Sequence, residues 1–281
     1  MLESLFSFKS LDKRPYLIII WSVIISIVAI VLSFSLPVYK IYGLSGPNVD
    51  VRGLFAVIFT VIPAAYFVTR YIRREEREEE KFIEGKYRKG IWYRHGKDIF
   101  IFILYFFSVA LTFSIASFFL PDTFFQIQKL ELVRITSESP AILTGNLLTG
   151  SLTAPQNFII ILFNNLNITL FSFVIGLLFG AGAIFILTWN AGLLATKIAI
   201  QAQTISNVPL VTTTFLAHGV LEIGAYVLAG LAGSIISAAV LRGHHKRGVM
   251  RRIILDSVYV LVLAVIFVFV AAYIEAFWVL G

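Results

Sequence analysis

Two ionisable residues stand inside a stretch that otherwise reads as lipid-embedded. The run Leu216-Ala217-His218-Gly219-Val220-Leu221-Glu222 lies within the long apolar segment from Val208 to Leu241. In a helix, His218 and Glu222 are one turn apart and share a face. An imidazole and a carboxylate at that spacing can exchange a proton, hold a hydrogen bond or offer two ligands to a metal. Zinc needs three or four ligands and no HExxH motif occurs, so the sequence assigns neither a metal nor a cofactor. Ionisable groups at membrane depth are costly unless they face protein or water, which makes this pair a candidate functional site.

The preceding apolar segment, Phe158 to Thr188, carries a complementary face. Asn165, Thr169, Ser172, Gly176, Gly180, Ala183, Leu187 and Asn190 recur at spacings of three and four, which puts them on one side of a continuous helix. Small residues let a second helix approach closely, and amides hydrogen-bond across the contact. The two segments are expected to pack together, with Ser172, Gly176 and Gly180 at the contact. Asn165 and Asn190 are expected to complete an intramembrane polar network around His218 and Glu222.

The elements that hold these residues follow from composition. The chain has 281 residues, 58% hydrophobic and 14% charged, with no cysteine. A soluble domain is nearer half apolar and a quarter charged, so the expected fold is all-α, a polytopic transmembrane helical bundle. Lack of cysteine removes disulfides, thiolate nucleophiles and cysteine-ligated metal centres. No Gly-x-Ser-x-Gly elbow or phosphate-binding loop occurs, and Gly176-Leu177-Leu178-Phe179-Gly180 lies in an apolar helix, where glycines serve packing. The net charge of +7 is concentrated in loops and at the amino terminus, which points to orientation and lipid headgroups and not to nucleic acid.

Along the chain, residues 1–15 can form a short amphipathic turn on the membrane surface. The first span covers 16–36 and the second 51–71, with Pro63 expected to kink it. Residues 73–81 read as a solvated helix laced with opposite charges. These parts make an amino-terminal region, 1–98. The core, 99–281, opens with a span at 99–120 and a polar loop at 121–157. Within that loop Gln126 to Val133 fits either a short helix or an alternating strand. Spans follow at 158–188, 208–241 and 253–280, with a short or re-entrant helix between 190 and 206, giving six to seven in all. The long segment 208–241 contains His218-Gly219, where a helix can break.

Orientation follows from basic residues. Positions 73–98 hold nine Lys or Arg and 242–252 hold five, whereas the loop 121–157 holds two. Basic loops stay inside, so the expectation is a multi-pass cell-membrane protein with a cytoplasmic amino terminus and an outer carboxyl terminus. Thr188 and Arg242 then lie on the same side, and the chain between them must cross an even number of times.

Phe163-Asn164-Asn165-Leu166, Gly176 and Gly180, Asn190-Ala191-Gly192, and His218-Gly219-Val220-Leu221-Glu222 with Gly230 and Gly233 resemble the pattern of the stage II sporulation protein M family, over roughly 99–281. The usual Asn-Gly pair is here Asn190-Ala191-Gly192, and Ala217 replaces the usual proline before the histidine. The resemblance adds Gly230 and Gly233 to the helix-packing residues. It implies a non-enzymatic scaffold or assembly component of the cell envelope. Its expected partners are the lipid bilayer, a second copy or other envelope proteins, with any wall-cleaving activity supplied by a partner. The alternative is a transporter or channel-like protein with a polar cavity around His218 and Glu222.

In this cysteine-free chain, a cysteine introduced by Thr149→Cys should react with an impermeant thiol reagent in intact cells. One introduced by Gly243→Cys should react only after the membrane is opened. The reverse labelling would overturn the orientation.

Overall fold

The computed structural model describes residues 16–37, 40–41, 49–66, 91–137, 153–180, 183–241 and 247–279. The amino-terminal amphipathic turn, the charged stretch 73–81, residues 143–152 and the basic loop 242–246 lie outside them.

Helix α1 is Leu17–Ser35, followed by the two-residue strands β1, Lys40–Ile41, and β2, Val49–Asp50, paired antiparallel. Helix α2 is Arg52–Tyr66 and continues past Pro63. Helices α3 (Ile91–Ala116), α4 (Gln126–Ser137), α5 (Ala154–Phe179), α6 (Ala183–Ala202), α7 (Val208–Leu241) and α8 (Arg247–Ile274) follow, the last ending in a π-helical turn at Glu275–Val279. Six helices among the described residues are long and apolar enough to cross a membrane. The fold is the all-α polytopic bundle that the composition requires, and α7 is its centre, with Ala225, Leu228, Ala229 and Ala232 fully enclosed.

Three expectations are corrected. The segment 158–188 is not one continuous helix: α5 ends at Phe179, and Gly180 takes φ +58° before α6 begins at Ala183. The face that runs from Asn165 to Asn190 is therefore shared between two helices. Glycine and alanine read as helix interior in an apolar run, so nothing in the local pattern marks the turn. The short or re-entrant piece is instead the full helix α6, and both α6 and α7 are long and apolar enough for the two crossings that the expected orientation requires. Helix α7 does not break at His218-Gly219; a break there would leave backbone N–H and C=O groups unpaired at membrane depth. In the loop 121–157, the helical alternative wins as α4.

Local chemistry sets the ends. Before α5, the Thr153 N–H and hydroxyl both donate to Gln156 Oε1, at 2.9 and 3.0 Å, and Pro155 occupies the first turn, where its missing N–H costs nothing. At the end of the bundle that carries α4, a polar knot joins four elements. Arg52 donates to Asp50 through Nε, 3.1 Å to either oxygen, and through a terminal nitrogen at 2.7 Å. Thr123 donates to Asp50 Oδ2 at 3.1 Å, the Asp50 N–H donates to Gln126 Oε1 at 2.9 Å, and the Ser33 hydroxyl donates to the Arg52 carbonyl. The guanidinium lies near the rings of Phe34 and Phe124, 5.4 and 5.5 Å from their centroids.

Burial alone would raise the Asp50 pKa, but the hydrogen bonds and charge of Arg52, with Thr123, outweigh it and hold the carboxyl below its ordinary range. A depressed carboxyl contributes stability above its unfolded value, about 3.9, which is lost as pH falls through the folded value. Asp50→Asn should therefore cost on the order of 3 kcal/mol at pH 7. The gap between parent and variant should close as pH falls below about 4. Thermal unfolding in detergent between pH 7 and 3 measures it, and a gap independent of pH would show that the charge is not what holds the knot.

Candidate functional site

The site forms where α5, α7 and the end of α8 meet. Asn165 is on α5, one turn before Thr169, with Ser172 and Gly176 continuing the same buried face. Its Nδ2 donates to Glu222 Oε1 at 2.6 Å, and its Oδ1 accepts from the Tyr226 hydroxyl at 2.8 Å and from Asn164 Nδ2 at 3.3 Å. One amide thus bridges two side chains that α7 presents a turn apart. The Thr169 hydroxyl returns to the Asn165 carbonyl at 2.7 Å, which satisfies its own donor within α5.

His218 and Glu222 share a face of α7 as their spacing dictates, but their closest described partners differ. His218 turns to Glu275, with Nε2 3.9 Å from Oε1, beyond hydrogen-bond length. Its Nδ1 has no hydrogen-bond partner, although the residue is only 3% exposed. The ring of Phe215 meets it edge-on at 6.1 Å, and the Lys197 ammonium lies 4.9 Å from the centroid of that same ring. One nitrogen of His218 and one oxygen each of Glu222 and Glu275 lie within 4.8 Å of one another.

These groups border a cavity of about 300 Å³, whose wall also includes Asn164, Asn165, Asn190, Lys197 and Tyr226. A second cavity, about 720 Å³, shares Asn164 and Asn190 with it and reaches Glu131 and Arg134 on α4. Asn190 therefore lines the space, but its Nδ2 donates to the Ile186 carbonyl of its own helix at 2.7 Å. The expectation that it completes the network is corrected: the half-buried Asn190 amide donates to the i−4 carbonyl of its own helix.

The packing residues also separate. A Cβ on Gly176 would collide with the Gly230 carbonyl oxygen, and one on Gly233 with the Phe173 carbonyl oxygen. A Cβ on Gly230 would meet Ala183 Cβ at 2.5 Å, with the Ser172 carbonyl oxygen 3.9 Å away. Ser172 is fully buried beside them. Gly180 is not part of this contact. Nothing lies within 4 Å of a Cβ placed on it, and its positive φ and its carbonyl, which accepts from Ser234 at 2.7 Å, define its role as a turn. Gly192 lies against α2 and α4, where a Cβ would be 3.5 Å from Val57 and 3.8 Å from Gln128.

Sequence reasoning missed Glu275 and Tyr226. Glu275 is a lone acid between Tyr273 and Trp278 in the last apolar segment, and the rule that singled out Glu222 applies to it equally. Tyr226 lies four residues beyond Glu222, on the same helical face.

Fold and site together define a polytopic α-helical membrane protein in which an amide, a carboxylate and a phenol are hydrogen-bonded between its spans beside a buried imidazole. More particularly, the chain belongs to the stage II sporulation protein M family, whose pattern matches residues 54–279. The match begins in α2, so it takes in the second apolar segment and the charged stretch that the motif resemblance had left outside the core. No curated protein and no solved structure matches the chain.

Gly176→Leu should cost at least about 1–3 kcal/mol, because the collision is with backbone that cannot rotate away. Phe179→Leu, at a side chain 70% exposed, should shift stability by no more than about 0.5 kcal/mol. Thermal unfolding of the two variants in detergent checks this. Equal tolerance would mean that α5 and α7 are not in backbone contact.

Proposed function

We propose that the chain is a non-enzymatic assembly component of the cell envelope, a membrane frame on which other envelope proteins or further copies are organised. The observation that carries this reading is the lock between α5 and α7. Asn165 bridges Glu222 and Tyr226, and glycines bring the two backbones together over the next turns. A polar group so partnered fixes two helices in one arrangement, as a frame requires. Membership of the family, whose namesake anchors an envelope complex, supports the same reading.

The small-residue face is spent inside the chain on this lock, so contacts with partners fall elsewhere. The loop 121–157 is the favoured place: its helix α4 leaves Leu130 and Val133 exposed, at 48% and 62%.

A second reading, a transporter or channel-like protein, is favoured by one observation: His218, Glu222 and Asn165 border a cavity instead of a dry contact. Glu222→Gln separates the two. Its carbonyl still accepts from Asn165, so stability should change by less than about 1 kcal/mol. If the chain is a frame, cross-linking from Leu130 to its envelope partners should survive the change, and reconstituted vesicles should show no flux that depends on Glu222. Proton or cation flux present in the parent and abolished in the folded variant would overturn the frame reading.

A further inference from the structure

We propose that His218, Glu222 and Glu275 bind one divalent transition-metal ion of the zinc class. The proposal stands apart from both functional readings, since a bound metal can brace a frame or mark a pathway.

The first argument is the donor set. An imidazole nitrogen and two carboxylate oxygens, drawn from α7 and the π-helical end of α8, lie within 4.8 Å of one another. Three protein ligands of these types, with water in the remaining position, are what zinc and its neighbours accept. Metal bonds of about 2.0–2.2 Å set tetrahedral ligand atoms about 3.3–3.5 Å apart. Rotation of the two glutamates about their side-chain bonds covers the difference. The cavity of about 300 Å³ that they border has room for an ion and its water.

The second argument is His218 itself. It is nearly fully buried, its Nδ1 has no partner and its Nε2 stands 3.9 Å from the nearest carboxylate. Neither ring nitrogen makes a hydrogen bond, a costly state for a buried imidazole. A proton shared between the glutamates would leave it unchanged, whereas a metal takes up a nitrogen lone pair directly.

The third is charge. Two carboxylates face one cavity at membrane depth, and Lys197 in its wall offsets one of them. Two carboxyl groups so close repel each other when both are ionised, and a divalent cation that displaced the proton between them would relieve that repulsion. The adjoining cavity, with Glu131 at α4, gives such an ion a way in.

The test uses the full chain, purified in detergent without a histidine tag and with His244→Ala and His245→Ala to remove the other adjacent imidazoles. Zn2+ is titrated in competition with a chromophoric chelator, and the metal is counted by mass spectrometry. The expected result is one equivalent of Zn2+, with binding weakened at least about 100-fold by His218→Ala and by Glu275→Gln, the upper end of what losing a supporting group costs. Zinc-edge X-ray absorption of the loaded parent needs no site variant, so it serves even if a variant misfolds, and it should show nitrogen and oxygen ligands with a single imidazole. No stoichiometric zinc in the parent, equal affinity in a folded Glu275→Gln protein, or an edge spectrum with two imidazoles would each overturn the proposal.

Discussion

A membrane interior supplies no water, so each polar atom at that depth depends on the protein for its partner. In this chain the constraint falls hardest on α7, which carries His218, Glu222 and Tyr226 on one face. Two of the three are satisfied by a single amide, Asn165 of α5. That satisfaction requires α5 and α7 to lie close along their whole contact, and Gly176, Gly230 and Gly233 supply the closeness. The hydrogen bonds and the glycines are thus one device. Larger side chains at the glycines would move Asn165 away from both partners, and without the amide the close approach would leave Glu222 beside an apolar wall.

The second constraint comes from the chain's ends of helices. Glu275 opens the π-helical turn that finishes α8, and its carboxylate lies beside His218 and Glu222 of α7. Phe158 packs edge-on against Phe269 at 5.2 Å and lies 6.2 Å from Phe277, holding the start of α5 against this turn. The site is therefore assembled from three helices whose contacts are independently fixed: α5 to α7 by glycines and an amide, α5 to α8 by aromatic rings. Asn165 lies eleven residues into the 26-residue α5, near its middle, and Glu275 one residue beyond α8.

How far this was legible in the sequence depends on what kind of signal each part leaves. Apolar length gave the spans, since twenty residues without charge have few other solutions. Helical spacing gave the shared face of Asn165, Thr169, Ser172 and Gly176, all of which the fold buries toward α7. It failed at Gly180, where the same glycine that signals close packing permits a positive φ, and only the three-dimensional path decides between them. It failed again at Asn190, whose place on the cavity wall was foreseen while its own-helix hydrogen bond was not. Glu275 was overlooked although a lone acid in an apolar segment is the clearest local sign there is. No spacing within one helix connects it to His218; the connection exists only once α7 and α8 are packed.

The arrangement separates rigidity from polarity along the α5–α7 contact. Toward Gly180 the contact is backbone against backbone, closed by the Ser234 hydroxyl, whose one proton is shared between the Gly180 and Gly230 carbonyls at 2.7 and 2.6 Å. No cavity fits where carbonyl oxygens approach an α-carbon that closely. Toward α4 the contact borders a cavity whose wall carries Asn164, Asn165, His218 and Glu222 among apolar side chains of several helices. Gly230, eight residues beyond Glu222 on α7, and Gly176, eleven beyond Asn165 on α5, brace that cavity from the backbone contact. Such a brace holds ligand-bearing side chains at fixed separations, which is what a site for a small, charged guest demands of its supporting helices.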